Sequence, residues 1–394
     1  MKLKDVCTVF IDGDWIESKD QSEEGIRLIQ TGNIGEGIYL EKEIRAKYIS
    51  EDTFARLKCT EIFPGDILVS RLPEPIGRAC IIPEKSERMI TAVDCTICRP
   101  NEDIVCKEYL CYFMRSKVYY TRLLSKVTGT TRKRISRKNL GNIELVVPHR
   151  EEQRMVVKQL DSLMKLIDFQ NKKLQELDRL IKARFVEMFG DLANPECSWD
   201  KCKFVDACAD KDDIKCGPFG TQLSKDEYTT SGIAVWEIPQ INTAFLSEPT
   251  HFLTEEKAEQ LNSYTIIPGD IAMSRKGNVG KCALFPNDYP DGIIHSDVLR
   301  IRVDRERLNP AFMVCQLHFS GFVTRQIELV SSGAIMAGVN VTKLKQIYVH
   351  VPPMDLQNQF ADFVRQVDKS KVAVQKALDE TQTLFDSLMQ EYFG

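Results

Sequence analysis

The sequence predicts an α+β protein made of two tandem domains of mixed helix and curved sheet, each followed by a long helix, with the two helices paired as an antiparallel coiled coil. Three observations predict it. The chain repeats itself at a spacing of 204 residues; each copy opens with short β-rich runs between Gly and Pro turns; and each copy closes on a long segment free of Gly and Pro.

The repeat is read from residues that return in order. Pro64-Gly65-Asp66-Ile67 comes back as Pro268-Gly269-Asp270-Ile271, and Ser70-Arg71 as Ser274-Arg275. Thr128-Gly129 matches Ser332-Gly333, Leu140 matches Leu344, Ile143 matches Ile347, Pro148 matches Pro352 and Gln153 matches Gln357. The copies end alike, on Met188-Phe189-Gly190 and Tyr392-Phe393-Gly394, while Ile26 and Ile233 keep a slightly larger spacing that implies loop insertions.

The first front domain is placed at residues 1–149. Runs such as 66–70 and 143–147 are β-rich, and 107–124 reads as a helix with Leu110, Phe113, Met114 and Val118 near one face. A helix follows over 150–190. The second front domain spans 191–353, with 298–302 as a strand, and the second helix spans 354–394. Pro-Gly-Asp-Ile is assigned to the fold, as a turn that launches a core strand.

Apolar residues at alternating steps of three and four predict the seam between the helices. Its members are Leu160, Leu163, Ile167, Leu174, Leu177 and Ile181 on the first helix, and Val364, Val367, Val374, Leu378, Phe385 and Leu388 on the second. Gln170, Lys371 and Thr381 interrupt it with polar groups. At 1.5 Å per residue such helices run to roughly 55 Å.

With 394 residues the chain is long enough for two or three domains, and an apolar share of 43% with a charged share of 28% is that of a globular protein. The start lacks a secretory signal and no run approaches the ~18 apolar residues of a membrane span, so a cytoplasmic location is expected. Thirteen scattered cysteines predict buried free thiols. Net charge is only −4, yet 115–138 contains no acidic residue and nine basic ones, the segregation a phosphate-binding face requires.

No catalytic constellation is found. Gly277-Asn278-Val279-Gly280-Lys281 is too short for a phosphate loop, and Cys282 stands where a Ser or Thr would hold magnesium. His149, His251, His295, His318 and His350 form no metal-binding helix pair. Cys95 and Cys98 sit in a strand-like run that points them to opposite faces, so no metal site is predicted. Val351-Pro352-Pro353-Met354 lacks the polar and aromatic ends of a base-methylation motif.

The ordered duplication resembles one family, the specificity (S) subunits of Type I restriction-modification systems. The resemblance rests on Pro-Gly-Asp-Ile, on the turn Ser274-Arg275-Lys276-Gly277-Asn278-Val279-Gly280-Lys281, and on Val351-Pro352-Pro353-Met354-Asp355-Leu356-Gln357 before a long helix. Copy one departs from it in two places. Its turn, Ser70-Arg71-Leu72-Pro73-Glu74-Pro75-Ile76-Gly77-Arg78, is one residue longer, and His149 replaces the second proline.

The resemblance implies a non-catalytic chain whose front domains are target-recognition domains, each reading half of an asymmetric bipartite site in double-stranded DNA. It implies two methyltransferase (M) subunits on the helices, restriction/translocase (R) subunits beyond them, and S-adenosylmethionine, ATP and magnesium on those partners. No cofactor is expected on this chain, and no membrane.

Candidate DNA contacts follow from residue chemistry. Thr130, Thr131, Arg132, Lys133, Arg134, Arg137 and Lys138 offer hydroxyls and cations beside the flexible Gly129. The matching stretch of copy two has no cation, leaving Ser331, Ser332 and backbone amides. Arg71 and Arg78 in copy one, and Arg275, Lys276, Asn278 and Lys281 in copy two, complete the set. Solvated turns with exposed basic side chains are the other reading of these segments. Two further functional readings stand beside the first: a duplicated coiled-coil adaptor for proteins, and the recognition subunit of a related restriction system outside Type I.

Overall fold

The computed structural model describes residues 1–129, 133–194, 197–332 and 338–394, with the backbone alone at Ser332. The chain divides into two bodies, Met1–Asn171 with Lys376–Gly394, and Lys172–Gln375. The four segments expected from the sequence are thus two units, because each long helix contributes one part to each.

The first unit runs β1 (Cys7–Asp12), β2 (Ile26–Ile29), β3 (Tyr48–Ile49), α1 (Glu51–Leu57), β4 (Glu61–Ile62), β5 (Ile67–Ser70), β6 (Ala79–Ile81), β7 (Met89–Thr91) and β8 (Cys95–Pro100). Then come α2 (Lys107–Phe113), α3 (Lys117–Leu124), α4 (Arg137–Gly141) and the start of α5 (Arg150–Phe189). The strands make two four-stranded sheets, β1-β8-β5-β6 and β3-β2-β7-β4; β2 and β7 run parallel and the other neighbouring strands of these sheets are antiparallel.

The first sheet is apolar on both faces because both are covered. Ile67, Val69 and Cys98 pack towards α2, α3 and α5, whereas Leu68, Cys95 and Ile97 pack against Ile29, Ile62 and Met89 of the second sheet. Cys95 and Cys98 therefore do lie on opposite faces, and all thirteen cysteines are free thiols. The outer face of the second sheet, with Ile26, Leu28 and Ile90, is covered by Phe54 and Leu57 of α1.

The second unit repeats this plan. Its elements are β9 (Asp200–Lys203), β10 (Ile214–Cys216), β11 (Ile233–Trp236), α6 (Ile238–Asn242), β12 (His251–Leu253), α7 (Glu255–Gln260), β13 (Thr265–Ile266), β14 (Ile271–Ser274), β15 (Cys282–Leu284), β16 (Gly292–Ile294) and β17 (Val298–Ile301). After them come α8 (Pro310–Phe319), α9 (Gly321–Val330), β18 (Ser331–Ser332), β19 (Gly338–Val339), α10 (Val341–Leu344), β20 (Tyr348–Val351) and α11 (Met354–Phe393). The sheets β10-β17-β14-β15 and β12-β11-β16-β13 have the strand orders of the first unit, again with one parallel pair, β11 with β16.

The repeated motifs are structural. Asp66 accepts from the Phe63 amide at 2.9 Å and takes both arms of Arg99 from β8, at 2.7 and 2.8 Å. Asp270 does the same with the Ile267 amide at 3.0 Å and with Arg302 at 2.7 Å twice. Gly65 and Gly269 take φ of 90° and 83°, which a side chain resists. At the start of each long helix a fully buried glutamine uses its whole amide. The Gln153 oxygen accepts from the Cys106 amide (2.8 Å) while its nitrogen donates to Ile104 (2.9 Å) and Pro148 (2.8 Å) carbonyls. Gln357 bonds the Asn309 amide (2.8 Å) and the Arg307 (3.1 Å) and Pro352 (2.7 Å) carbonyls.

Within each unit the two long helices pair antiparallel. In the first, Gln170 donates to Thr381 at 3.3 Å and Gln159 accepts from the Tyr392 hydroxyl, so the contacts ascend one helix while descending the other. In the second, Asp178 meets Lys371 at 2.7 Å and Phe185 meets Phe360 at 5.5 Å between centroids. Every predicted seam residue is buried or half-buried. The polar interruptions turn out to be paired across the helices, and the seam continues into a cluster of Phe185, Phe189, Phe312 and Phe360.

Two expectations are corrected. The helix placed at 107–124 is two helices, because Ser116 stops the first and caps the second by accepting from the Tyr119 amide at 3.1 Å. Residues 143–147 form no strand in the first unit; Glu144 bridges Lys2 alone, whereas the equivalent β20 pairs fully with β9.

Two predictions follow from the packing. Asp270→Ala leaves Arg302 and the Ile267 amide without their buried partner, and a loss of about 2–4 kcal/mol in denaturant unfolding is expected. His350 is wholly buried against Phe322, and burial together with nearby Lys201 holds its pKa down to about 4. In the unfolded chain it titrates near 6.5, so the unfolded state takes up the proton first. Stability present above pH ~6.5 is lost as the pH falls towards 4, by about 2 kcal/mol at pH 5. His350→Phe should flatten that slope, as read by melting at pH 7.5 and pH 5.

Candidate nucleic-acid interface

In each unit the sheet that carries the repeated turn ends in four loops held together by backbone hydrogen bonds. In the first unit these are the segment after β1, the turn between β5 and β6, the turn before β8, and the segment from Val127 to Ile135. Gly13 donates to Cys95 at 2.9 Å, Arg71 donates to Asp94 at 2.9 Å, and Ile135 donates to Arg71 at 3.3 Å. Thr128 and Arg134 exchange backbone bonds of 3.0 and 2.9 Å, closing the base of the glycine-containing loop.

The second unit builds the same edge. Gly217 donates to Val298 at 3.1 Å, Arg275 donates to Asp297 at 2.9 Å, and Val339 donates to Arg275 at 3.1 Å. Here the fourth loop is the β18–β19 hairpin, with Ser331 opposite Val339 and Ser332 opposite Gly338. The backbone of Arg71 or Arg275 is the hub in each case.

The side chains on the two hubs differ. Arg71 turns inward; its guanidinium donates to the Val93 carbonyl and lies 3.4 Å from Asp12 at the end of β1. In the second unit Cys216 occupies the place of Asp12, so no carboxylate draws Arg275 in. Arg275 instead lies 4.8 Å over the ring of Phe219, donates from Nε to the Val339 carbonyl at 3.4 Å and stays half-exposed. Arg78 is also internal, donating to the carbonyls of Ile34 (2.6 Å), Leu72 (3.3 Å), Pro75 (3.0 Å) and Thr31 (2.8 Å). Both Arg71 and Arg78 therefore leave the set of candidate contacts, because both side chains are buried and turned into the fold.

Of the remaining candidates, Thr130, Thr131 and Arg132 lie outside the described residues, as does the side chain of Ser332. Lys133, Arg137 and Lys138 are exposed. Arg134 meets Asp94 at 2.8 Å, and Lys276 meets Asp297 at 2.8 Å, so each edge carries one cation on the aspartate of the same turn. Such exposed pairs are worth only about 0–1 kcal/mol, so either cation can be surrendered to a phosphate at little cost. Lys281 and Asn278 are exposed, Asn278 lying 3.4 Å from Asn242, and the Ser331 hydroxyl donates to the Ile327 carbonyl at 2.6 Å.

The basic run 115–138 is less unified than its composition implies. Arg115 stacks over Tyr112 and Phe385 at 5.3 and 5.5 Å, while Arg122 and Lys126 donate to the Glu144 and Asn142 carbonyls at 2.5 and 3.1 Å. Sequence reasoning also passed over two aromatic residues at the edges, Trp15 and Phe219. Their signal was the recurrence of Gly-x-aromatic, Gly13 to Trp15 and Gly217 to Phe219, at the spacing of the main repeat.

The Gly277–Lys281 segment is the turn of a β-hairpin and opens no helix, unlike a phosphate loop. Glu237 gathers His251 at 2.7 Å and His295 at 4.0 Å, and His318 accepts from the Cys282 amide at 3.1 Å. Among the described residues no group of three or more His, Cys, Asp or Glu side chains is placed to hold a metal ion, and no helix is long and apolar enough to cross a membrane.

The family model for the Type I restriction modification DNA specificity domain matches residues 1–179 and 219–381. The chain belongs to this family. It is a Type I specificity protein, and its role is DNA sequence recognition. It is 22% identical to the putative type I restriction enzyme MjaX specificity subunit of Methanocaldococcus jannaschii, over 95% of this chain and 89% of that protein. It is 20% identical to the EcoKI specificity subunit of Escherichia coli, over 76% of this chain and 67% of that protein.

The specificity protein also shares its fold with solved chains. The S subunit of M. genitalium aligns over 100% of this chain and 95% of its own, with TM-score 0.59 and 14% identity. A chain from a structure describing complex assembly and conformational transition of the type I R-M system covers 100% and 96%, with TM-score 0.55 and 16% identity.

Replacing Lys133 and Arg134 together by alanine is expected to weaken DNA binding and to make the slope of log K against log salt less steep by about 1–2. An unchanged affinity and slope would remove this segment from the interface.

Proposed function

We propose that this specificity protein reads an asymmetric, bipartite DNA site, one half-site through the four-loop edge of each unit. The single observation that carries the reading is that one edge geometry is built twice with different side chains. The first presents Lys133 and Arg134 beside a withdrawn Arg71; the second presents Arg275, Lys276 and Lys281. A shared backbone frame with unlike donors reads unlike base sequences.

The chain itself is non-catalytic in this reading. Two methyltransferase subunits dock on the long helices and restriction/translocase subunits join them, bringing S-adenosylmethionine, ATP and magnesium. The exposed apolar side chains of Met155, Leu166 and Phe169 on α5 support protein docking there, since water-facing rings and aliphatic chains on a helix already packed on its other face gain by being covered. The methyltransferase must take its target base out of the stack, so the specificity protein must hold deformed DNA.

Methylome sequencing of cells expressing this chain with its neighbouring methyltransferase subunit tests the proposal. A gapped, asymmetric methyladenine motif that disappears without this chain is the expected result. A stable complex that leaves no motif would favour the protein adaptor instead.

A further inference from the structure

We propose that Trp15 and Phe219 are a matched pair of DNA-contacting rings, each packing as an apolar wedge against a base step of the half-site read by its own unit. The inference rests on the DNA-reading role of the two edges and adds a specificity element that cations and hydroxyls do not supply.

Four observations carry it. The rings occupy the same place in the two copies, in the loop that leaves the first strand of the main sheet, although their neighbours differ, Asp14 in one and Pro218 in the other. Both are out in solvent, Trp15 at 69% and Phe219 at 48% exposure. An indole of this size gains a few kcal/mol when covered, so two matching aromatics left uncovered call for a surface that arrives later.

The loop is also rigid where it counts. A Cβ on Gly13 would stand 2.4 Å from the Thr91 carbonyl oxygen, and one on Gly217 would stand 2.2 Å from that of His295. Only glycine permits so close an approach, and the aromatic two residues on is set at the edge as a result. In the second unit the Phe219 amide is further held by the Gln222 side chain at 3.1 Å, which in turn accepts from the Tyr264 hydroxyl at 3.0 Å.

Charge around Phe219 suits nucleic acid. Arg275 covers one face of Phe219, and Lys215 lies 4.7 Å over Tyr264. Around Trp15 the carboxylates are already engaged: Asp12 with Arg71, Asp14 with the Thr60 amide at 2.8 Å, and Glu17 with Lys19 at 2.8 Å and with the indole N–H of Trp15 itself at 3.4 Å. Phe219, with a cation against its face, and Trp15, whose carboxylate neighbours are already partnered, can each insert between base pairs and partly unstack them, widening sequence reading beyond hydrogen bonds.

The test uses the full chain assembled with its methyltransferase partner and compares W15A, W15F, F219A and F219W with wild type. Each alanine variant should lose about ten- to a hundred-fold in DNA affinity with the salt slope unchanged, since no phosphate contact is removed. W15A should relax or lose the methylated motif at one half-site only, and F219A at the other, with W15F and F219W restoring most of the binding. 2-Aminopurine placed through each half-site should brighten on binding wild type and stay dim with the matching alanine variant.

Wild-type affinity and an unaltered motif in W15A and F219A would overturn the inference. So would loss of the methyltransferase subunit from either variant, which would make the ring a protein contact. A wild-type complex that yields no bipartite motif would instead overturn the DNA-reading proposal on which this one stands, so the two failures are told apart.

Discussion

A buried primary amide decides where each long helix begins and what it is fastened to. Gln153 and Gln357 sit with no exposure to solvent, and each satisfies its oxygen with the amide of the residue that caps a neighbouring helix, and its nitrogen with two carbonyls. An amide buried with a bond missing costs about 1–3 kcal/mol, so a helix that slid by one residue would pay that penalty along with its seam contacts. The position of α5 on the first unit and of α11 on the second is therefore set by chemistry as well as by apolar packing. The aspartates of the repeated turns act alike, tying the turn before β5 to Arg99 within β8 and the turn before β14 to Arg302 just after β17.

On that common frame the two units have diverged at the points that face outward. One substitution shows how. The carboxylate of Asp12 retains the Arg71 guanidinium inside the first unit, and the thiol of Cys216 at the equivalent place leaves Arg275 available over Phe219. Backbone bonds at the hub are the same in both, so the scaffold is indifferent to which way the arginine turns. This separation of frame from side chain lets one fold carry two different recognition surfaces.

The candidate site was legible in part. Lys133, Lys276 and Lys281 could be found from composition and motif because a cation in a Gly-containing turn is exposed in most folds. Arg71 and Arg78 misled, because a sequence shows a charge and conceals the carbonyls waiting for it: Thr31, Ile34 and Val93 come from distant or separately folded segments. Trp15 was passed over for the opposite reason. An isolated aromatic reads as core until the packing shows that nothing covers it.

The sequence by itself determined the duplication, the alternation of β-rich and helical parts and the heptad seam from Leu160 to Leu388, because periodicity and repetition are properties of order along the chain. Tertiary structure alone decided the rest. The break at Ser116 depends on a cap that competes with helix continuation. The partnership of Gln170 with Thr381 joins residues far apart in sequence. The gathering of four loops around Arg71 and Arg275 depends on backbone bonds between strands whose order no local pattern encodes, and those bonds determine which side chains are left facing out.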